Sequence, residues 1–343
     1  MRPKRRFTDE IVTMAHGAGG MASAALFDAV FAPALANPAL DAREDGAVLD
    51  LPPGRVVVTT DSFVVRPRRF PGGSLGHLAV HGTINDLAAM GARPVALTVA
   101  FVLEEGLPIA ELRELVADLA GSAAAAGVPV VAGDTKVVER GAADGVYVTT
   151  TGIGVIPGHW PELSSAAVQP GDVVLVSGTI GDHGIAVLLA RGDLVLEGEV
   201  RSDTAALHEL AAVLLDAVPG TRWLRDPTRG GVASALNELV ELCGLAVEID
   251  EAALPVRPAV AGASELLGLD PLYIANEGKL LAVVAADGAD AALAAWRGHP
   301  LGQESAIIGR ITTEPAGMVV ARTPYGSSRV VDLLVGDPLP RIC

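Results

Sequence analysis

The sequence predicts a mixed α/β protein built from two layered units in succession, and three observations carry that prediction. Half of the 343 residues are hydrophobic but only 3% are aromatic. The core must therefore be assembled from Ala, Val and Leu, which suits helices layered on sheets. Short β-branched runs alternate with amphipathic helical stretches along the chain. One stretch, "PGHWPELSSAAVQPGD" (Pro157 to Asp172), breaks that alternation with three prolines, and the pattern restarts beyond it.

The first strand is "RVVVTT" (Arg55 to Thr60), β-branched and continuous, running into Asp61. A helix follows from Ser74 to Met90, with Ser74 placed to cap its start and Gly91 and Pro94 to end it. "VALTVAFVL" (Val95 to Leu103) is the next strand, and "IAELRELVADLAGSAAAAG" is a helix with leucines at helical spacing. "VPVVAGDT" is a buried strand expected to stop at Gly133 and Asp134, and "GVYVTTTGIGVI" is another strand. In the second half "DVVLVSG" is a strand, "TIGDHG" a turn, and "IAVLLAR" and "GGVASALNELVEL" are helices. "AVEID", "KLLAVVAA", "SAIIGRI", "GMVVAR" and "RVVDLL" read as further strands. The chain divides into an N-terminal unit (1–156), a linker (157–171), a C-terminal unit (172–335) and a flexible tail (336–343).

Composition excludes several classes. A charged fraction of 19% with this much apolar residue is incompatible with wholesale disorder. The net charge of -16 argues against nucleic acid, which needs a basic surface. No apolar run approaches the roughly 18 residues of a membrane span. The basic opening "MRPKRR" lacks the apolar core of a leader, so a cytoplasmic protein with reduced thiols is expected. The two cysteines, Cys243 and Cys343, make neither a disulfide framework nor a zinc ribbon. Cys243, in a helical stretch, reads as a small buried hydrophobe.

The acidic residues fall at unusual places. Asp61 in "TTDSF" and Asp134 in "AGDTK" are expected at strand ends, and Asp86 follows Asn85 in the helix "HGTINDLAAMGA". Each alone reads as a turn former or surface charge. Together, flanked by small residues, Asp61, Asp86 and Asp134 favour a shared cation, and hard oxygen ligands suit Mg²⁺ carried by phosphates. Glycine-rich turns recur in "HGAGG" (with Gly19 and Gly20), "SGTIGDHG" (with Asp182) and "DPTRGG" (with Asp226). Such turns let backbone N–H groups approach phosphate oxygens, although none matches the Walker or Rossmann pattern. Lys136, two residues after Asp134 and next to Thr135, is placed to reach the same phosphates. Glu277 in "IANEGKLL" reads either as a turn residue paired with Lys279 or as a general base on rigid backbone. His77 and His81 stand one helical turn apart, but no third ligand supports zinc.

The chain ends in "DPLPRIC". Pro338 and Pro340 prevent helix and ladder pairing and keep this tail extended. Arg341 is expected to place a positive charge near the terminal thiol and ease its ionisation.

The blocks "HGAGG", "DSFVV", "HGTINDLAAMGA", "GDTKVV", "SGTIGDHG", "DPTRGG", "ANEGK" and the terminal "PRIC", in that order, resemble the HypE family of hydrogenase expression/formation proteins. Most of them also resemble the wider aminoimidazole ribonucleotide synthetase-like (PurM-like) superfamily, and "PRIC" narrows the choice. The resemblance implies a two-domain PurM-like fold whose N-terminal, ATP-binding domains pair in a homodimer with a barrel-like core. It implies that a HypF-type carbamoyltransferase modifies the Cys343 thiol. ATP with Mg²⁺ then drives dehydration of the S-carboxamide to a thiocyanate, and the cyano group passes to iron on a HypC–HypD scaffold. Under that reading Cys343, Glu277 and Lys136 are catalytic. Gly19, Gly20, Asp61, Asn85, Asp86, Asp134, Thr135, Asp182 and Asp226 hold the nucleotide and its metal. A superfamily enzyme acting on a small molecule, or a non-catalytic scaffold, are the competing readings.

Overall fold

The computed structural model describes residues 7–192, 199–334, 336, 339 and 341–343. After the short helices α1 (Met21–Leu26), α2 (Ala32–Leu35) and α3 (Pro38–Asp41), the first sheet is built from β1 (Arg55–Phe63), β4 (Arg93–Glu104), β5 (Val130–Val138) and β6 (Val146–Ile156). Its order is β1-β6-β4-β5, antiparallel except for β4 beside β5. A two-stranded ribbon, β2 (Arg69–Phe70) with β3 (Gly73–Ser74), leads into α4 (Leu75–Ala89), and α5 (Ile109–Ala126) joins β4 to β5.

Leu112, Leu115, Val116 and Leu119 put one buried stripe on α5, and Gly127 closes the helix in the left-handed conformation (φ 68°). Helix α4 is buried on nearly all sides between α5 and the sheet. Its Gly76 is required there, since a Cβ would stand 2.3 Å from the Leu115 carbonyl oxygen. The Thr150 hydroxyl donates to the Ala79 carbonyl (2.8 Å) and fixes α4 on β6.

The second half contains β7 (Val173–Val176), α6 (Asp182–Ala190), α7 (His208–Ala217), β8 (Thr221–Arg225), α8 (Gly231–Cys243), β9 (Ala246–Asp250), α9 (Pro258–Leu267), β10 (Leu281–Val284), α10 (Ala289–Arg297), β11 (Ala306–Thr312), β12 (Val319–Arg322) and β13 (Ser328–Val330). The second sheet runs β13-β12-β9-β11-β7-β10-β8. The first core also takes in Ile185 and Val187 of α6, Val260 of α9, and Ile342 at the chain end. Among the described residues no helix is long and apolar enough to cross a membrane.

Several expectations change. Strand β1 continues past Asp61, and β5 runs through Asp134 and Lys136 rather than stopping. Both aspartates thus sit inside strands. Ser74 precedes α4, but its hydroxyl donates to Asp118 (2.7 Å) and meets His77 instead of capping the helix. Helices α7, α9 and α10 and strand β8 had no counterpart in the sequence reading; the helices are Ala-rich, and the two arginines of "TRWLR" mask the strand. Pro338 and Pro340 lie outside the described residues.

Candidate active site

Alternate residues of β1 share a face. Thr59, Asp61 and Phe63 lie on the helix-covered face, and Thr60 and Ser62 on the open one. The covered face meets α4, where the Thr59 hydroxyl donates to the Asp86 carboxylate (2.6 Å). Gly82 leaves room for the Phe63 ring, which a Cβ would approach to 2.9 Å. The second half of the chain adds Asp226 and Arg229 from the loop after β8, and Glu277 from the segment before β10. Asp61, Asp86, Asp226, Arg229, Glu277 and Cys343 line one cleft of about 280 Å³.

The cleft concentrates negative charge. Burial, and then the neighbouring Asp86 carboxylate, push Asp61 up to about 6. The same two causes push Asp226 up to about 7. Burial holds Glu277 well above the usual carboxylate range, and Asp226 adds to it. Arg229 opposes the shift at Asp61 and Arg225 that at Asp226. Such a group favours protons or a cation. Among the described residues no set of three His, Cys, Asp or Glu side chains is disposed to hold a metal alone. The donors are hard carboxylate oxygens, which fits Mg²⁺ that keeps most of its shell from water and phosphate.

Asp134 does not join this group. Asp61 pairs across the sheet with Thr150, which pairs with Val99, which pairs with Gly133. Asp134 is therefore one residue out of that row. It lies on the opposite face and at the opposite edge, roughly 14 Å away at three strand spacings. One ion cannot bridge Asp61 and Asp134 within a protomer, which corrects the shared three-aspartate site. Asp134 instead pairs with Lys136 (2.9 Å). Those two, Thr135 and Gly19 line a second cleft of about 310 Å³. Gly20 precedes α1 beside it.

Two other candidates are corrected. The amide of Asn85 is occupied: its nitrogen donates to the Ala205 and Glu277 carbonyls (3.0 and 3.2 Å), and its oxygen accepts from Leu207 N–H (2.8 Å). It holds the backbone of Glu277 rather than a ligand. Asp182 is buried at the start of α6, accepts from the Thr179 hydroxyl (2.5 Å), and does not line the acidic cleft. Glu277 is not the partner of Lys279, whose ammonium meets Asp203 at 3.1 Å.

The end of the tail is docked. Val64 N–H donates to a backbone carboxylate oxygen of Cys343 (3.2 Å) and Arg66 N–H to the Arg341 carbonyl (3.1 Å), an antiparallel pairing. Ile342 is buried. The Arg341 guanidinium turns to Asp144 (2.5 Å) and the Val64 carbonyl, so it anchors the tail instead of serving the thiol. His81 meets Thr204 (3.0 Å) and His77 meets Ser74 (2.9 Å), so neither is set up as a zinc ligand.

Residues 43–156 match the AIR synthase related protein, N-terminal domain, and residues 169–321 match the AIR synthase related protein, C-terminal domain. Over 333 residues the chain is 53% identical to carbamoyl dehydratase HypE of Cupriavidus necator, covering 97% of this chain and 95% of that protein. Identity to carbamoyl dehydratase HypE of Escherichia coli K12 is 48% over 339 residues, with 97% and 99% covered. The chain belongs to the HypE family of carbamoyl dehydratases. A crystal structure of hydrogenase maturation protein HypE in complex with ATP is similar with a TM-score of 0.93 at 43% identity, covering 96% of this chain and 99% of that one. A chain of a HypE–HypF complex is similar at a TM-score of 0.79 and 45% identity, covering 90% and 100%.

For a member of the HypE family, sequence reasoning missed part of this site. Arg229 was within "DPTRGG", a motif already singled out, and its charge beside two glycines was the available signal. Asp203 gave no local signal, and Lys279 in "ANEGK" and His183 in "SGTIGDHG" lay in recognised blocks, but their partners are distant in sequence.

Proposed function

We propose that the protein dehydrates the S-carboxamide on its own Cys343 to a thiocyanate, using ATP with Mg²⁺, and so supplies the cyanide ligand for [NiFe] hydrogenase maturation. The observation that carries this is the place of Cys343, in one cleft with Glu277, Asp61, Asp86 and Asp226. The reaction removes the amide oxygen and both N–H protons, a net loss of one water. Bound ATP would phosphorylate that oxygen, so that it leaves as phosphate. Glu277, on clamped backbone, would take the first proton from the amide nitrogen as its carboxylate, and the departing phosphate would carry away the second. Asp61, Asp86 and Asp226 would hold the phosphate-bound Mg²⁺.

The similarity to a HypE–ATP complex supports the nucleotide, and that to a HypE–HypF complex supports a HypF-type carbamoyltransferase as partner. A HypC–HypD scaffold would receive the cyano group. Docking must be reversible for both transfers. Burying Leu339 and Ile342 stabilises by roughly 1.5–3 kcal/mol each. Ordering backbone opposes this at about 1–2 kcal/mol per residue, which offsets the gain and lets the tail leave.

The second cleft, with Asp134, Thr135, Lys136 and Gly19, is proposed to serve the nucleotide of a partner protomer. The N-terminal sheets would pair through their open faces into a barrel-like homodimer core. Val56 and Val58, 50% and 64% exposed on that face of β1, support the pairing.

Intact mass spectrometry with the carbamoyltransferase and ATP tests the function. A carbamoyl gain followed by loss of one water, both on the C-terminal peptide, is expected. Dehydration that persists in Cys343→Ala refutes the reading.

A further inference from the structure

One half-buried segment, 202–204, reaches both halves of the proposed reaction. In one direction the Ser202 hydroxyl meets His183 Nδ1 at 2.8 Å, and His183 Nε2 meets the carbonyl oxygen of Ile342 at 2.8 Å. That carbonyl belongs to the peptide immediately before Cys343. In the other direction Asp203 accepts from the backbone N–H of Glu277 at 3.1 Å, and its other oxygen pairs with Lys279 at 3.1 Å. Thr204 closes the segment on itself, its N–H donating to the Ser202 hydroxyl oxygen (3.1 Å).

The chemistry of the partners defines the protons. A peptide carbonyl only accepts, so His183 Nε2 carries the hydrogen and Nδ1 accepts from the Ser202 hydroxyl. The ring is fully buried, with its edge against Phe70 at 5.4 Å between centroids. It has no freedom to follow the tail. Glu277 is equally constrained: a Cβ on the adjoining Gly278 would fall 1.7 Å from the Asp203 carbonyl oxygen, so the two segments touch backbone to backbone. The base and the sulfur-bearing residue are thus referenced to the same three residues.

We infer that His183, oriented by Ser202, is the positioning residue that sets the docked Cys343 in register with the Glu277 carboxylate. The inference rests on the reading that Cys343 carries the reacting group. His183 touches no reacting atom; it holds the peptide one residue away. Displacement of a reacting group by about 1 Å costs on the order of 10²-fold in rate. An apolar residue at 183 would also leave the Ile342 carbonyl buried without its donor, which disfavours docking.

The test uses the full-length protein and two variants. His183→Leu removes the donor, and His183→Gln keeps an N–H within reach of the carbonyl. Starting from S-carbamoylated protein, His183→Leu is expected to slow thiocyanate formation roughly 10–100-fold with the KM for ATP unchanged, and His183→Gln to restore most of the rate. A wild-type rate in His183→Leu, or equal losses in both variants, overturns the inference.

A second measurement needs no turnover. Iodoacetamide alkylation of unmodified protein, quantified by peptide mass spectrometry, should speed up roughly 3–10-fold at Cys343 in His183→Leu and stay unchanged at Cys243. Unchanged alkylation at Cys343, or a parallel rise at Cys243, overturns the inference. If wild-type protein forms no thiocyanate, the proposed function fails while the alkylation result still decides the positioning role. If His183→Leu does not fold, Ser202→Ala, which frees the ring, carries the same two expectations and the same refutations.

Discussion

The amide nitrogen of Asn85, on helix α4, donates to the carbonyl of Glu277 at 3.2 Å. A helix from the first half of the chain therefore holds in place the candidate base supplied by the second. Asn85→Ala would leave the Ala205 carbonyl without the amide donor and the buried Leu207 N–H without its acceptor, and the Glu277 carbonyl would keep only the longer contact from Ala205 N–H (3.4 Å). Leaving such groups unpaired costs about 1–3 kcal/mol each, so a loss of about 2–4 kcal/mol in unfolding free energy is expected by urea denaturation. A stability within 0.5 kcal/mol of wild type, roughly the size of a neutral surface change, would contradict this clamp.

Glu277→Gln removes the proposed base and keeps the backbone contacts. Thiocyanate formation should fall by about 10²–10⁴-fold, the S-carboxamide should accumulate, and ATP binding should persist. Mass spectrometry and calorimetry read these outcomes separately. Full dehydration activity in this variant would assign the proton to another group.

The acidic cleft has a pH signature. Asp61 and Asp226 titrate at about 6 and about 7 in the folded chain, above their ordinary 3.8. The folded state thus binds these protons more tightly than the unfolded state. Their contribution to stability is full below pH of about 4 and is lost as pH rises through 6 to 7. Cation-free protein should therefore show a lower Tm at pH 8 than at pH 5.5. The drop should be smaller in Asp226→Asn and reversed by Mg²⁺ with ATP. An equal drop in the variant would place its cause elsewhere.

The separation of Lys136 from Glu277 makes a prediction about the proposed homodimer. Lys136 pairs with Asp134 in one cleft and Glu277 lines the other. Random mixing of Lys136→Ala and Glu277→Gln chains, each inactive alone, would give half mixed dimers with one intact site each. About a quarter of wild-type activity should return. No recovery would mean that both residues act within one chain.

Much of this architecture was legible in the chain. "RVVVTT", "VALTVAFVL" and "GVYVTTTGIGVI" form strands because β-branched runs pack on pleated surfaces, and α5 follows its leucine spacing. Asp61, Asp86, Asp226 and Glu277 were each singled out and do converge. Asp134 was misplaced because one residue of parity in the register puts a side chain on the other face of a sheet. Asn85 was misread because its neighbour Asp86 points into the cleft while its own amide turns to the second half of the chain.

By itself the sequence determined most of the strands, the helices α4, α5, α6 and α8, the family, and the thiol of the "PRIC" block. Those properties are local, written in periodicity and motifs. Only the tertiary structure decided which carboxylates share a cleft, where Arg341 spends its charge, and that His183 and Asp203 bring the tail and the base to one segment. Those outcomes depend on strand order and on contacts between residues more than a hundred positions apart, which no local pattern of side chains encodes.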